Sequence, residues 1–239
     1  MPGALHLRVV VAPVFGTNCC VVSSGTATGA DCVVVDAGAG VADAVVRLVD
    51  DAGLTPRAVL ATHGHADHTW DAAALCARYD VPLLIHEDDA YRLADPFATL
   101  GPALESALGL HRDAYQEPRD VRPFATPGGA AQLALGDVVL RALHAPGHTE
   151  GSTLYRLDDR LDAAATPTVL TGDVLFAGSI GRTDLHGGSE ETMARTLRDV
   201  VGALDPALAV VPGHGPATTV AHERATNPFL APLRAPRGR

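Results

Sequence analysis

VLATHGHADHTWDAAALCARY, residues 59–79, packs three histidines and an aspartate into six residues, between an apolar run and an alanine-rich segment. AVLATH (58–63) has the length and branching of a buried strand, and residues 67–79 have helical length and composition. HGHADH is then the loop at the strand's C-terminal end, where sites assemble in open α/β architectures. His63 and His65 stand two apart in extended chain, so their side chains point the same way and can reach one cation. Asp67 and His68 open the helix and point elsewhere, which suggests two adjacent metal positions rather than one. One histidine on a solvated loop would mean little, but H-x-H-x-D-H concentrates the imidazole and carboxylate donors that divalent transition metals prefer.

Three further residues repeat this context, a histidine or aspartate just after an apolar strand and beside glycine: His148 in HAPGHTEGS, Asp173 in VLTGDVLF and His214 in VVPGHGP. Glycine lets the backbone turn tightly and approach a site closely. Seven ligands converge on this reading, five imidazoles and two carboxylates.

The rest of the chain sets the frame. Further strands are expected at 32–38, 81–86, 138–147, 152–157, 168–173 and 208–215, and helices at 41–52, around 103–110 and at 189–203. The chain is therefore α/β, and its 239 residues can bury a full core. We expect one domain over residues 1–230 and a frayed Pro/Arg-rich tail at 231–239. The proline-bearing stretch between the runs at Val81 and Val138, within it 88–124, is where a cover over the site could sit. A net charge of -10 excludes a phosphate-tracking surface, so no nucleic-acid partner is expected. The N-terminus lacks a basic start, and Pro13 and Gly16 interrupt its apolar run well short of a membrane span, so a cytoplasmic protein without a membrane partner is expected. Cys19, Cys20, Cys32 and Cys76 form no C-x-x-C pair and read as buried free thiols.

THGHADH, APGHTEGS, TGDVLFAGSIGRTDL and PGHG, in this order from Thr62 to Gly215, resemble the metallo-β-lactamase-fold hydrolases, and within them the glyoxalase II-like branch. The resemblance implies a four-layer αββα sandwich with the metals at one edge. It implies that His63, His65 and His148 bind a first divalent metal, that Asp67, His68 and His214 bind a second, and that Asp173 bridges them. Zinc is the expected metal, and iron and manganese suit the same donors. Water held between two such ions loses a proton near neutral pH and attacks a polarised carbonyl, with Asp67 orienting it and helping to protonate the leaving group.

Departures from the family pattern choose among its branches. β-Lactamases of the fold usually place cysteine where this chain has Asp173, and di-iron oxygen reductases place glutamate where it has His65. The rival is the sulfur dioxygenase branch, with one iron, which resembles this chain through GRTD but reads GCGRTDF where this chain reads GSIGRTDL. A binuclear hydrolase of small 2-hydroxyacyl thioesters of the lactoyl type is the reading preferred, with the dioxygenase as the alternative and a non-catalytic metal-binding module third. Arg182 resembles the place of a carrier-binding lysine and is expected to clamp a substrate carboxylate. Glyoxalase II enzymes add a helical domain after the last histidine, so lactoylglutathione is expected to be a poor substrate here. His144 is a candidate supporter of His148 or a strand-packing residue, Asp36 a supporter of the metal loops or a turn former, and Trp70 a core residue. His6, His86, His111, His186 and His222 read as ordinary surface or edge histidines.

Overall fold

The structure, a computed structural model, describes residues 5–98, 114–157 and 167–234. Its strands form two six-stranded sheets. The first runs in chain order through β1 (His6–Val11), β2 (Asn18–Ser23), β3 (Asp31–Val35), β4 (Thr55–Leu60), β5 (Leu83–His86) and β6 (Val121–Phe124). β1, β2 and β3 pair antiparallel, and β3 to β6 pair parallel. The second contains β7 (Ala130–Leu135), β8 (Val138–His144), β9 (Thr153–Arg156), β10 (Thr168–Gly172), β13 (Ala209–Pro212) and β14 (Thr218–Thr219), in the order β14-β13-β10-β9-β8-β7. A two-stranded hairpin, β11 (Leu175–Phe176) with β12 (Ser179–Ile180), follows β10.

Period-two alternation makes the layers. Val33, Val35, Ala58 and Leu60 of the first sheet pack onto Leu140, Ala142, Tyr155 and Leu170 of the second. Their neighbours Cys32, Val34 and Val59 face the other way, onto Val45 and Val49 of α1 (Ala42–Asp51) and Leu75 of α3 (Ala72–Tyr79). On the far side Leu154, Val169 and Val210 meet Met193 and Leu197 of α4 (Glu190–Asp199) and Val220 of α5 (Val220–Thr226). Helix, sheet, sheet, helix is the expected αββα sandwich. Strands covered on both faces read as continuous apolar runs, which is why the central ones were legible. The four cysteines are free and buried, and burial pushes the thiols of Cys32 and Cys76 up to about 12. Among the described residues no helix is long and apolar enough to cross a membrane.

Several elements differ from expectation. The N-terminal run builds the β1–β2 hairpin, whose turn carries Phe15 and Gly16 at φ 72° and 69°. The helix expected over 67–79 is split into α2 (Ala66–Thr69) and α3. The break at Asp71 serves other bonds: its amide donates to the Ala37 carbonyl at 2.9 Å, and its carboxylate accepts from the Ala42 amide at 2.8 Å. A 3-10 turn also forms at Pro228–Arg234. The helix expected near 103–110, His111 and much of the 88–124 stretch lie outside the described residues.

Candidate metal centre

The C-terminal ends of β3, β4, β8, β10 and β13 meet along one edge of the sandwich, and the loops leaving them carry every residue of the expected ligand set. Nε2 of His63 lies 3.1 Å from Nδ1 of His65, which lies 2.9 Å from Nε2 of His148. Beside this trio, Nε2 of His68 lies 3.2 Å from Nε2 of His214, and Oδ2 of Asp67 lies 3.1 Å from the latter. Asp173 stands between the groups, with Oδ1 3.3 Å from His68 Nε2 and Oδ2 3.7 Å from His148 Nε2.

Hydrogen bonds on the far sides of the rings fix where the imidazole protons sit. Nδ1 of His148 is 2.8 Å from the Arg182 carbonyl, and Nδ1 of His214 is 3.2 Å from the Phe15 carbonyl. A carbonyl only accepts, so both Nδ1 atoms carry the proton and both Nε2 atoms present lone pairs. The Thr62 hydroxyl donates to Asp36 at 2.8 Å, leaving its oxygen to accept from Nδ1 of His63 at 3.1 Å. Nδ1 of His68 faces the same Asp36 carboxylate at 3.0 Å. Three of the five rings, His63, His148 and His214, thus turn an unprotonated Nε2 inward, while His68 is paired by charge with Asp36.

Nitrogens this close share either a proton or a cation. The buried Asp173 Oδ1 has no hydrogen-bond partner, which leaves it as a free anionic donor. The residues present therefore fit metal ions: neutral imidazoles and two carboxylates gathered in groups of three. Glycine makes room for this. A Cβ on Gly213 would collide with Asp173 Oδ1, and one on Gly38 would come within 2.6 Å of the Asp67 carbonyl.

The electrostatics agree. Burial, and then the neighbouring imidazoles His68, His148 and His65, hold His63 well below the usual histidine value; burial and His148 lower His65 to about 3. Both are neutral at pH 7 and competent as ligands. Burial pushes Asp67 and Asp173 upward, but the adjacent imidazoles, His68 foremost, outweigh it and keep both carboxyls below their ordinary value. Burial pushes His68 down, and Asp67, Asp36 and Asp173 more than reverse that. Burial also lowers His214, while Asp67 and Asp173 raise it to a net upward shift. The edge built by the carboxylates attracts positive charge.

Residues 12–214 match the metallo-beta-lactamase superfamily. The chain belongs to that superfamily. Its relatives include an uncharacterized protein of Mycobacterium leprae, 40% identical over 90% of this chain and 94% of its own length. The hydroxyacylglutathione hydrolase GloC of Haemophilus influenzae is 30% identical over 95% of this chain and 98% of its own. Among solved structures, TTHA1623 in a di-iron-bound form superposes with a TM-score of 0.73 at 31% identity, covering 93% of this chain and all of that one. The probable metallo-hydrolase YqgX of Bacillus subtilis is 34% identical over 83% of this chain and 87% of its own length.

Other residues singled out from the sequence fall less uniformly. Asp36, at φ 60° and 3% exposed, bonds the metal loop through the Thr62 amide and hydroxyl at 2.7 and 2.8 Å. The Arg182 side chain is exposed and paired with Asp184 at 2.7 and 2.8 Å; only its carbonyl touches a histidine of the cluster, His148. His144 does not reach His148: it stacks on His86, ring centroids 4.1 Å apart, and its Nε2 bonds the Glu150 carbonyl at 2.8 Å. His86 is no surface histidine but 3% exposed, because the end of β5 is covered from the second sheet by that ring. Trp70 packs edge-on against Phe97 and tilted against Tyr115. Asp89 and Arg92, fully buried behind the first trio, went unnoticed. They lie in the turn after β5 with no glycine beside them, so the strand-end rule that found the histidines passes over them.

Proposed function

We propose that this chain is a binuclear metal-dependent hydrolase of small acyl thioesters, of the 2-hydroxyacyl (lactoyl) type. The observation that carries the reading is the set of inward-facing Nε2 lone pairs of His148, His214 and His63, held by Arg182, Phe15 and Thr62, around the Asp173 carboxylate, which lies between His68 and His148. His63, His65 and His148 would hold one ion, Asp67, His68 and His214 the other, and Asp173 both. Two divalent ions, zinc first with iron or manganese as the alternatives, supply Lewis acidity and a hydroxide at neutral pH.

The chain's own residues do the rest. Asp67, partly exposed and with its carboxylate held by His214, would take a proton from the attacking water and pass that proton to the thiolate released as the C–S bond breaks. The half-buried Phe176, its ring centroid 6.3 Å from that of His214, gives the mouth an apolar wall suited to an acyl group. Arg182 meets a carboxylate on the thiol carrier by exchanging it for Asp184. That swap costs little, because an exposed ion pair contributes only about 0–1 kcal/mol. The likeness to GloC, a hydroxyacylglutathione hydrolase, supports a thioester substrate.

The test is thiol release from lactoylglutathione and a panel of other lactoyl thioesters, under air and under nitrogen, alongside elemental analysis of protein purified without added metal. Oxygen-independent thiol release with two metals per chain is expected. Oxygen uptake on glutathione persulfide, one iron per chain and no thioester turnover would transfer the assignment to a dioxygenase.

A further inference from the structure

The two ligand groups share Asp36, which also reaches His63 through Thr62, but the loops of the first have a further support of their own. Asp36, Thr17 and Phe15 hold the group of Asp67, His68 and His214: Asp36 faces His68, the Thr17 hydroxyl donates to the Asp67 carbonyl at 2.8 Å, and Phe15 receives His214. The group of His63, His65 and His148 is assembled from two loops of opposite sheets, and a single carboxylate spans them. Asp89, fully buried in the 3-10 turn Glu87–Leu93, accepts at Oδ2 from the Gly64 amide at 2.8 Å and the Thr149 hydroxyl at 2.7 Å. Its Oδ1 accepts from the Gly151 amide at 2.9 Å and from Nε of Arg92 at 3.1 Å. Gly64 sits between His63 and His65, and Thr149 follows His148.

Arg92 makes this carboxylate tolerable in the interior. Its guanidinium is fully buried, balances Asp89, and reaches on to the Glu150 carboxylate and to the His186 carbonyl at 3.0 Å. The approach is close enough to demand glycine on both loops. A Cβ on Gly64 would stand 2.8 Å from Arg92 Cβ, and one on Gly151 would stand 2.7 Å from Asp89 Cβ. A charge this far from water has a stabilising role only if its four donors stay in place. Its carboxylate therefore fixes the distance between the two loops.

We propose that Asp89, with Arg92 as counter-ion, is the positioning residue of the first metal group, setting affinity for that ion and not for its neighbour. The proposal rests on the binuclear reading above. The experiment titrates chelator-treated full-length protein with cobalt(II), read by visible d–d absorption and by competition with a chromophoric chelator. His65→Ala and His214→Ala identify which step belongs to which group. Asp89→Asn is expected to weaken the step that His65→Ala abolishes by about 10–100-fold, the usual effect of removing a residue that orients ligands, with the other step changed less than about twofold on the same scale. Thr149→Val, which removes one of the four bonds, should weaken the same step by a smaller factor, and Thr149→Ser, which keeps the hydroxyl, should restore it. If Asp89→Asn does not fold, the Thr149 pair decides. Equal weakening of both steps, or no change in a folded variant, overturns the proposal. A wild type with a single step, lost in His65→Ala, overturns the binuclear reading alone; a single step lost in His214→Ala overturns both.

Discussion

Replacing Asp36 by asparagine removes one charge and no volume. The left-handed backbone at φ 60° is one that asparagine adopts readily, so the swap introduces no strain. The asparagine carbonyl can still accept from the Thr62 amide, now 2.7 Å from Oδ1. Its NH2 then faces the Thr62 hydroxyl, a donor, at 2.8 Å, and the ion pair of Oδ2 with Nδ1 of His68 at 3.0 Å is lost. A hydrogen bond to a charged group contributes about 1.5–3 kcal/mol and a neutral one about 0.5–1.5 kcal/mol. The loss is therefore about 2–4 kcal/mol, and for a chain of this size roughly 4–16 °C in melting temperature at about 2–4 °C per kcal/mol. There is a chemical consequence besides. If the Thr62 hydroxyl turns to accept from the new NH2, its proton points at His63 Nδ1, and the proton of that ring moves to Nε2. The lone pair is then withdrawn from the first group while His68 loses its anchor in the second.

Urea unfolding of the chelator-treated variant measures the stability term, and cobalt(II) titration measures the ligand term. Both binding steps should weaken by about 10–100-fold. The pH dependence of the apoprotein penalty has a definite sign. Although burial lowers it, His68 is raised in the folded state by Asp67, Asp36 and Asp173. The stability from that pairing is fully present below the unfolded value of about 6.5 and is lost as pH rises through the raised folded value. The Asp36→Asn penalty is accordingly largest below about pH 6.5 and shrinks above it. A change under about 0.5 kcal/mol, within the range of a neutral surface substitution, with both binding steps intact would refute the proton chain drawn through Thr62.

His86 is held below the usual histidine value by burial and then by His144, so its contribution to stability is present above about pH 6.5 and lost as pH falls toward the depressed folded value. His86→Gln should flatten the acid side of the stability curve, and an unchanged slope would remove His86 from that account. Asp67→Ala should lower kcat by about 10²-fold or more, the scale of proton-transfer catalysis, while costing little stability because the side chain is partly exposed; steady-state kinetics beside thermal melting separate the two, and unchanged turnover would cancel its role. Arg182→Ala should raise KM for carboxylate-bearing thioesters several-fold, an exposed charge contact being worth about 1 kcal/mol or less, and spare neutral ones; tight, glutathione-selective saturation in the variant would place carrier recognition elsewhere.

The seven-ligand set was legible because each member obeys a local rule, a polar residue at the end of an apolar strand beside glycine, and parallel or crossing strands bring such ends to one edge. The central strands were legible because both their faces are buried. The β1–β2 hairpin was not, since its apolar residues lie either side of Pro13 and Gly16 and read as an interrupted run rather than two strands around a turn. β7, Ala130–Leu135, is alanine-rich with a polar outward residue, and only pairing with β8 makes it a strand.

The two carboxylates behind the ligands mark the harder limit. Asp36, at the end of β3, is legible in sequence only as one of two alternatives, a support or a turn former, and Asp89 looks like any surface acid. Their partners stand far along the chain: Thr62 is 26 residues from Asp36, while Gly64 and Gly151 are 25 and 62 residues from Asp89. What identifies them is burial of a charge, which follows from tertiary packing alone. The ligands face inward and need only the right atoms at the right strand ends, whereas their supports must reconcile two loops at once. Asp36 does so within one sheet, joining the end of β3 to the loop after β4. Asp89 does so across the sandwich, where the sheets touch through Arg92, Glu150 and the stacked pair His86 and His144. A substitution that loosens the packing of the two sheets at that edge should therefore reach the first metal group through Asp89 before it reaches the second.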